Sequence, residues 1–226
     1  MAIVLLVRHG RSTANTSGTL AGRLPGVHLD DTGREQVART GLRLADAPVV
    51  EVVTSPLERC RETAAAITAH HDLEPVVDEA LTECGYGQWQ GRALKELADE
   101  ELWKTVQQHP SAAVFPGGEG LAAMQARGVA AIRGHDARIE AAHGPQAVWV
   151  AVSHGDVIKA VLADALGMHL DLFQRLHVDP ASVSIVRYGT RRPDVVAVNT
   201  AAGDLAWLQG PAPAADAAVG GGAGPA

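Results

Sequence analysis

The chain has 226 residues, 46% of them hydrophobic, which is enough for one sizeable core and too apolar for general disorder. Its formal net charge of −7 argues against a surface that coats nucleic acid or an anionic membrane. No stretch is apolar for long enough to span a bilayer. Two cysteines, Cys60 and Cys84, make neither a disulfide framework nor a metal knuckle. With no charged-then-apolar leader ahead of the first strand, a cytoplasmic protein is expected. This composition also leaves room for a homo-oligomer.

The first apolar run, Ala2 to Val7, reads as a strand buried on both faces. It ends in Arg8, His9 and Gly10. In an open α/β sheet, ligands sit beyond the carboxyl ends of the strands, and a glycine there lets the backbone turn sharply and approach a ligand. A neutral imidazole is a nucleophile and a guanidinium is a fork for phosphate oxygens. The pair suggests attack of His9 on phosphorus while Arg8 holds the equatorial oxygens. A surface Arg-His pair in a turn is the alternative. In the polar stretch that follows, Ser12 and Asn15 can each donate to a phosphate oxygen, and a glycine-bearing loop is expected from Thr16 to Asp31. Thr32 to Glu35 has capping-box spacing and predicts a helix from there to about Ala45, with Val37, Gly41 and Leu44 toward the sheet. Pro48 breaks the chain before a second strand, Val49 to Thr54.

Ser55 is the expected N-cap of the next helix, Pro56 suits its first position, and Glu58 completes a second capping box. Arg59 then falls in the first turn, a second guanidinium at the same edge as Arg8; a solvated helix residue is the alternative. Gly85, Gly87 and Gly91 exclude a helix around the acidic residue Glu83. That carboxylate is either a general acid or an exposed loop residue. Ala93 to Gln108 reads as one helix and Pro110 to Gly118 as a loop. A long helix is expected from Glu119 to Ala142, with Leu121, Met124, Gly128 and Ile132 as its core stripe and Arg127 and His135 solvated. Ala147 to Val152 is another short strand, ending in Ser153-His154-Gly155-Asp156, and the helix after it turns Val157, Val161 and Ala165 inward. Two histidines and two arginines therefore point at one rim. The other histidines, including His70-His71, read as surface residues. Ser182 to Tyr188 and Asp194 to Asn199 predict an antiparallel edge, and the Pro-, Ala- and Gly-rich stretch from Pro211 predicts a disordered tail.

In this order, the motifs resemble the histidine phosphatase superfamily, in its phosphoglycerate mutase-like branch, over about residues 3 to 190. They are Arg8-His9-Gly10 with Asn15; Ser55-Pro56-Leu57 with Arg59 and Thr63-Ala64; Leu81, Glu83, Gly87, Trp89 and Gly91; Pro116-Gly117-Gly118-Glu119; and Ser153-His154-Gly155. The resemblance implies a three-layer α/β/α fold around a mixed, mostly parallel sheet. It implies one domain over residues 1–208 with a small cap over the strand ends near 83–120, the tail being 209–226. By position it makes His9 the nucleophile, Glu83 the proton donor, and Arg8, Arg59 and His154 the phosphate pocket. Asn15 becomes a secondary phosphate ligand, with Ser12, Arg11, Gly22, Tyr86 and Gly155 completing the substrate-binding residues. Arg11 stands where the family usually has glutamate and Ala14 where an aromatic is frequent, so the rim departs from the common pattern.

The implied activity is a metal-independent phosphomonoesterase, without a cofactor, acting on a small phosphorylated metabolite through phosphohistidine. Neither nucleic acid nor a membrane is an expected partner. A phosphoglycerate mutase is the first alternative. The family's mutases grip the substrate carboxylate with an arginine pair in a longer segment after the acid loop, whereas Ala93 to Pro116 holds only Lys95 and Lys104 as cations. A non-catalytic phospho-ligand module is the second alternative. A metal-dependent phosphatase of the haloacid dehalogenase type needs paired aspartates just after the first strand, and Asp30-Asp31 is too far along. No His, Cys or carboxylate cluster has metal-ligand spacing.

Overall fold

The computed structural model describes residues 2–189, 191–201 and 220. Its strands are β1 (Ile3–Arg8), β2 (Val49–Thr54), β3 (Val76–Val77), β4 (Val148–Ser153), β5 (Val183–Tyr188) and β6 (Pro193–Thr200). They form one sheet in the order β3-β2-β4-β1-β5-β6. The four strands from β3 to β1 run parallel, while β5 is antiparallel to both β1 and β6. This is the mixed, mostly parallel sheet expected.

The helices are α1 (Thr13–Ser17), α2 (Asp31–Leu44), α3 (Glu58–Thr68), α4 (Leu94–Leu97), α5 (Glu101–Gln108), α6 (Leu121–His143) and α7 (Gly155–Ala165). Side chains alternate across a strand, so β1 feeds two cores. Leu5 and Val7 pack with Leu44, Cys60, Ala64 and Ile67 of α2 and α3. Val4 and Leu6 pack with Ile132 and Ile139 of α6 and with Ile158 and Leu162 of α7. Each such fully buried aliphatic side chain stabilises the fold by roughly 1.5–3 kcal/mol. Residues between Cys84 and Met124 build a further apolar cluster around Tyr86, Trp89, Trp103 and Phe115, seated on Val157, Ala160 and Ala163 of α7.

Several local expectations are corrected. The N-cap of α2 is Asp30, whose carboxylate accepts from the Gly33 N–H at 2.7 Å, so Thr32 lies inside the helix. Part of the loop expected from Thr16 is helical: α1 is capped by Ser12, with Asn15 closing the reciprocal bond. Helix α3 begins at Glu58 with Leu57 at its cap, whose apolar side chain makes no cap bond, and Ser55 lies ahead of the helix with its Oγ accepting from the Leu57 N–H at 3.4 Å. The helix expected over Ala93 to Gln108 is two helices. A straight helix would turn Leu97 and Trp103 about 120° apart, yet both are buried in the same cluster, and the break between α4 and α5 allows it. The two-residue β3 was not expected. Of the tail, all but Gly220 lies outside the described residues.

Candidate active site

Strand register brings the histidines together. Arg8 pairs with Ser153 across β1 and β4, so His9 and His154 leave the sheet side by side. The ladder continues one step, His9 N–H to Ser153 carbonyl at 3.0 Å, and the two ring centroids lie 5.2 Å apart. Strand β2 is in step as well, with the Ser55 N–H donating to the Val152 carbonyl at 3.0 Å. Arg59, in the first turn of α3, is thereby carried over both rings and is 2% exposed.

The hydrogen bonds fix both tautomers. A guanidinium only donates. Arg59 Nε donates to His9 Nε2 at 3.2 Å, so that nitrogen holds a lone pair and the proton sits on Nδ1, which donates to the Gly10 carbonyl at 2.7 Å. Arg59 Nη2 donates to His154 Nδ1 at 3.2 Å, which leaves the His154 Nε2–H to donate to Ser55 Oγ at 2.8 Å. Burial first, then the Arg59 and Arg8 guanidiniums, hold His9 well below the ordinary imidazole range. Burial, Arg59 and His9 do the same to His154.

Arg8 is fully buried, donating from Nη1 to the Val178 carbonyl at 2.8 Å and from Nη2 toward the Gly220 carbonyl at 3.5 Å, and burial lowers its pKa to about 10. Burying two guanidiniums together costs several kcal/mol unless anionic charge offsets it. Arg59 Nη1 is buried without a partner. A dianionic group such as phosphate supplies both the charge and the acceptors.

Glu83 is 3% exposed and lines the same pocket as His9 and Arg59, which rules out the exposed-loop alternative. Burial and the neighbouring Asp156 push its carboxyl up to about 7. The loop that carries it is anchored by Arg127, which was expected to be solvated. Arg127 donates to the carbonyls of Ala80, Thr82 and Glu83 at 2.7–3.0 Å and grips both oxygens of Glu119. Arg23 adds bonds of 2.8 Å to the Glu83 carbonyl and to Glu119. His135 is likewise not solvated, since its Nε2 meets Asp78 at 2.8 Å. Helical periodicity marks which face is apolar. It does not show that acidic groups and bare carbonyls from a preceding loop will meet the polar face.

Of the other expected site residues, Ser12, Asn15, Gly22 and Tyr86 line the pocket. Arg11 does not. Its Nε is paired with Asp30 at 2.7 Å, because the chain turns back and places the α2 cap beside it. Gly155 is buried as the first residue of α7 and is not among the residues that line the pocket.

Sequence reasoning missed Asp156, which is 1% exposed, accepts from the Tyr86 hydroxyl at 2.8 Å and pairs with buried Lys159 at 2.9 Å. An aspartate and a lysine three apart in the otherwise apolar run Gly155–Ala163 were the signal available. Gly220 also reaches the pocket, its N–H 3.2 Å from Asp156. Among the described residues, no group of three or more His, Cys, Asp or Glu is arranged to hold a metal ion, and no helix is long and apolar enough to cross a membrane.

The family model for the histidine phosphatase superfamily (branch 1) matches residues 4–201. Phosphoserine phosphatase 1 of Hydrogenobacter thermophilus is 28% identical over 201 residues, covering 88% of this chain and 92% of that protein. A Yersinia enterocolitica protein named "Probable phosphoglycerate mutase GpmB" is 30% identical over 216 residues, covering 94% and 97%. The crystal structure of the alpha-ribazole phosphatase from Shigella flexneri superposes with a TM-score of 0.75 at 26% identity, covering 88% of this chain and 96% of that one. The chain belongs to the histidine phosphatase superfamily, branch 1.

Proposed function

We propose that the protein is a metal-independent phosphomonoesterase that hydrolyses a small phosphorylated metabolite through a phosphohistidine on His9. The observation that carries this reading is the lone pair on His9 Nε2, set by two hydrogen bonds, in one pocket with Arg59 and the raised carboxyl of Glu83. In the first step Nε2 attacks phosphorus, the N–P bond forms and the ester P–O bond breaks. Glu83 gives its proton to the departing alkoxide, which is otherwise a poor leaving group. Arg59 exchanges its bond to His9 for the phosphoryl oxygens, with Arg8 and His154 stabilising charge. In the second step Glu83, now a carboxylate, takes a proton from water. The resulting nucleophile attacks phosphorus, the N–P bond breaks and inorganic phosphate leaves. Asn15 serves as a further donor to phosphate, since its side-chain carbonyl is occupied by Ser12 and its NH₂ is left to donate. The residues around 83–120 act as the cap over this site. Two unbonded, buried cysteines fit a reducing cytoplasm.

A mutase runs the same first step but returns the phosphate to its substrate, and the resemblance to a protein named as a mutase keeps that reading open to test. Both rates are measured on one preparation. Release of phosphate from several small monoesters, with little exchange between 3- and 2-phosphoglycerate in the presence of the bisphosphate primer, is the expected result. Interconversion at about 10 s⁻¹ or more, with negligible phosphate release, decides for the mutase.

A further inference from the structure

We propose that the alcohol released by this enzyme is uncharged, and that the pocket selects against phosphate esters carrying a carboxylate. This rests on the phosphatase reading and adds the class of leaving group. Beyond His9, Arg59 and Glu83, the walls that face a leaving group are Thr19, Leu20, Ala21, Leu94 and the ring of Tyr86. None is cationic. The Tyr86 hydroxyl is already committed to Asp156.

The arginines around the site are engaged by partners, with Arg23 sharing the Glu119 carboxylate with Arg127. Arg23 is held by Glu119 and the Glu83 carbonyl, Arg11 by Asp30, and Arg92 by Glu100 at 2.7 Å. Lys95 follows Leu94 on α4 and is exposed, about 100° around the helix from the residue that lines the pocket. Residues 202–226 contain no Lys, Arg or His, so that stretch has no cation to contribute. Among the described residues that line the pocket, Arg59 is the cation, and the phosphoryl group claims it.

A substrate carboxylate would therefore lie beside a phosphate dianion and Glu83, against leucine, alanine and an aromatic ring. It would lose water without gaining a counter-ion. A neutral carbon chain or hydroxyl loses much less, and the Thr19 hydroxyl offers it a partner.

The test uses the full chain and ester pairs that differ only in CH₂OH against COO⁻: glycerol 3-phosphate with 3-phosphoglycerate, and 2-hydroxyethyl phosphate with 2-phosphoglycolate. The expected kcat/KM is at least about tenfold higher for the uncharged member of each pair. Leu94→Arg should narrow that ratio by raising the carboxylate's kcat/KM, and a ratio unchanged in this variant overturns the assignment of the wall. Equal or better turnover of the carboxylated esters overturns the proposal while leaving the phosphatase reading intact. Failure to release phosphate from any of the four, or from p-nitrophenyl phosphate, overturns that reading and this proposal with it.

Discussion

Each of the two reacting side chains has one group of neighbours that decides its protonation. Burial and two guanidiniums keep His9 neutral, so the acid side of the pH profile should lie below the ordinary imidazole range. Burial and Asp156 keep Glu83 protonated until about pH 7. Since the first step needs the acid, kcat/KM for alkyl phosphates should be greatest below that pH and fall toward tenfold per unit above it. Glu83→Gln should remove this alkaline limb and slow alkyl phosphates by about 10²–10⁴, while p-nitrophenyl phosphate, whose leaving group needs no proton, loses far less. An alkaline limb that survives in Glu83→Gln would assign the acid to another residue. Arg8, His9 and His154 were legible in the sequence because each stands where an apolar run ends abruptly, and Arg59 because a Ser-Pro helix start follows the second run. Asp156 was not, because its role depends on Tyr86 from a loop 70 residues earlier.

Among the elements, the acid loop and the turn after β1 depend on the helices beside them. Arg127 of α6 holds three carbonyls of the Glu83 loop and the Glu119 carboxylate. Arg127→Ala should cost about 2 kcal/mol of stability, read by denaturant unfolding, and lower kcat more for alkyl phosphates than for p-nitrophenyl phosphate. Unchanged stability and an unchanged ratio would show that the loop holds itself. A Cβ on Gly33 of α2 would come within 1.9 Å of the Arg11 carbonyl. Gly33→Ala should therefore push the Arg11–Asn15 turn off the helix, destabilise by roughly 1–3 kcal/mol and raise KM; a variant with wild-type stability and KM would contradict that packing. The bounds of β2 were readable because its apolar run stops at a Ser-Pro turn. Those of α2 and α3 were misjudged at their starts, where Asp30 and Ser55 compete for roles that only the neighbouring strand ends decide. The strand β3 was missed because two residues carry too little pattern, and their pairing to β2 is a tertiary event.

At the scale of the whole molecule, a parallel register places His9, His154 and Arg59 at one end of the sheet, and the segment from Cys84 to Met124 packs on α7. The α/β class was legible because short apolar strands lead through turns into helices, and the three-layer arrangement followed from the family resemblance. The packing of that segment was not, since it joins Trp89 and Phe115 through contacts that no local period encodes. No metal takes part in the chemistry derived from these residues, so activity should survive exhaustive chelation, and vanadate, with its five-coordinate phosphate-like geometry, should inhibit. Activity lost on chelation and restored by magnesium or zinc would contradict this. The most direct test of the central claim is to mix the enzyme with a phosphate ester labelled at phosphorus, quench in base within a turnover, and locate the label by peptide mass spectrometry. The account predicts a base-stable, acid-labile phosphate on His9, absent in a folded His9→Ala variant that has lost nearly all turnover. Full turnover with no label on His9, or substantial activity in His9→Ala, would contradict it.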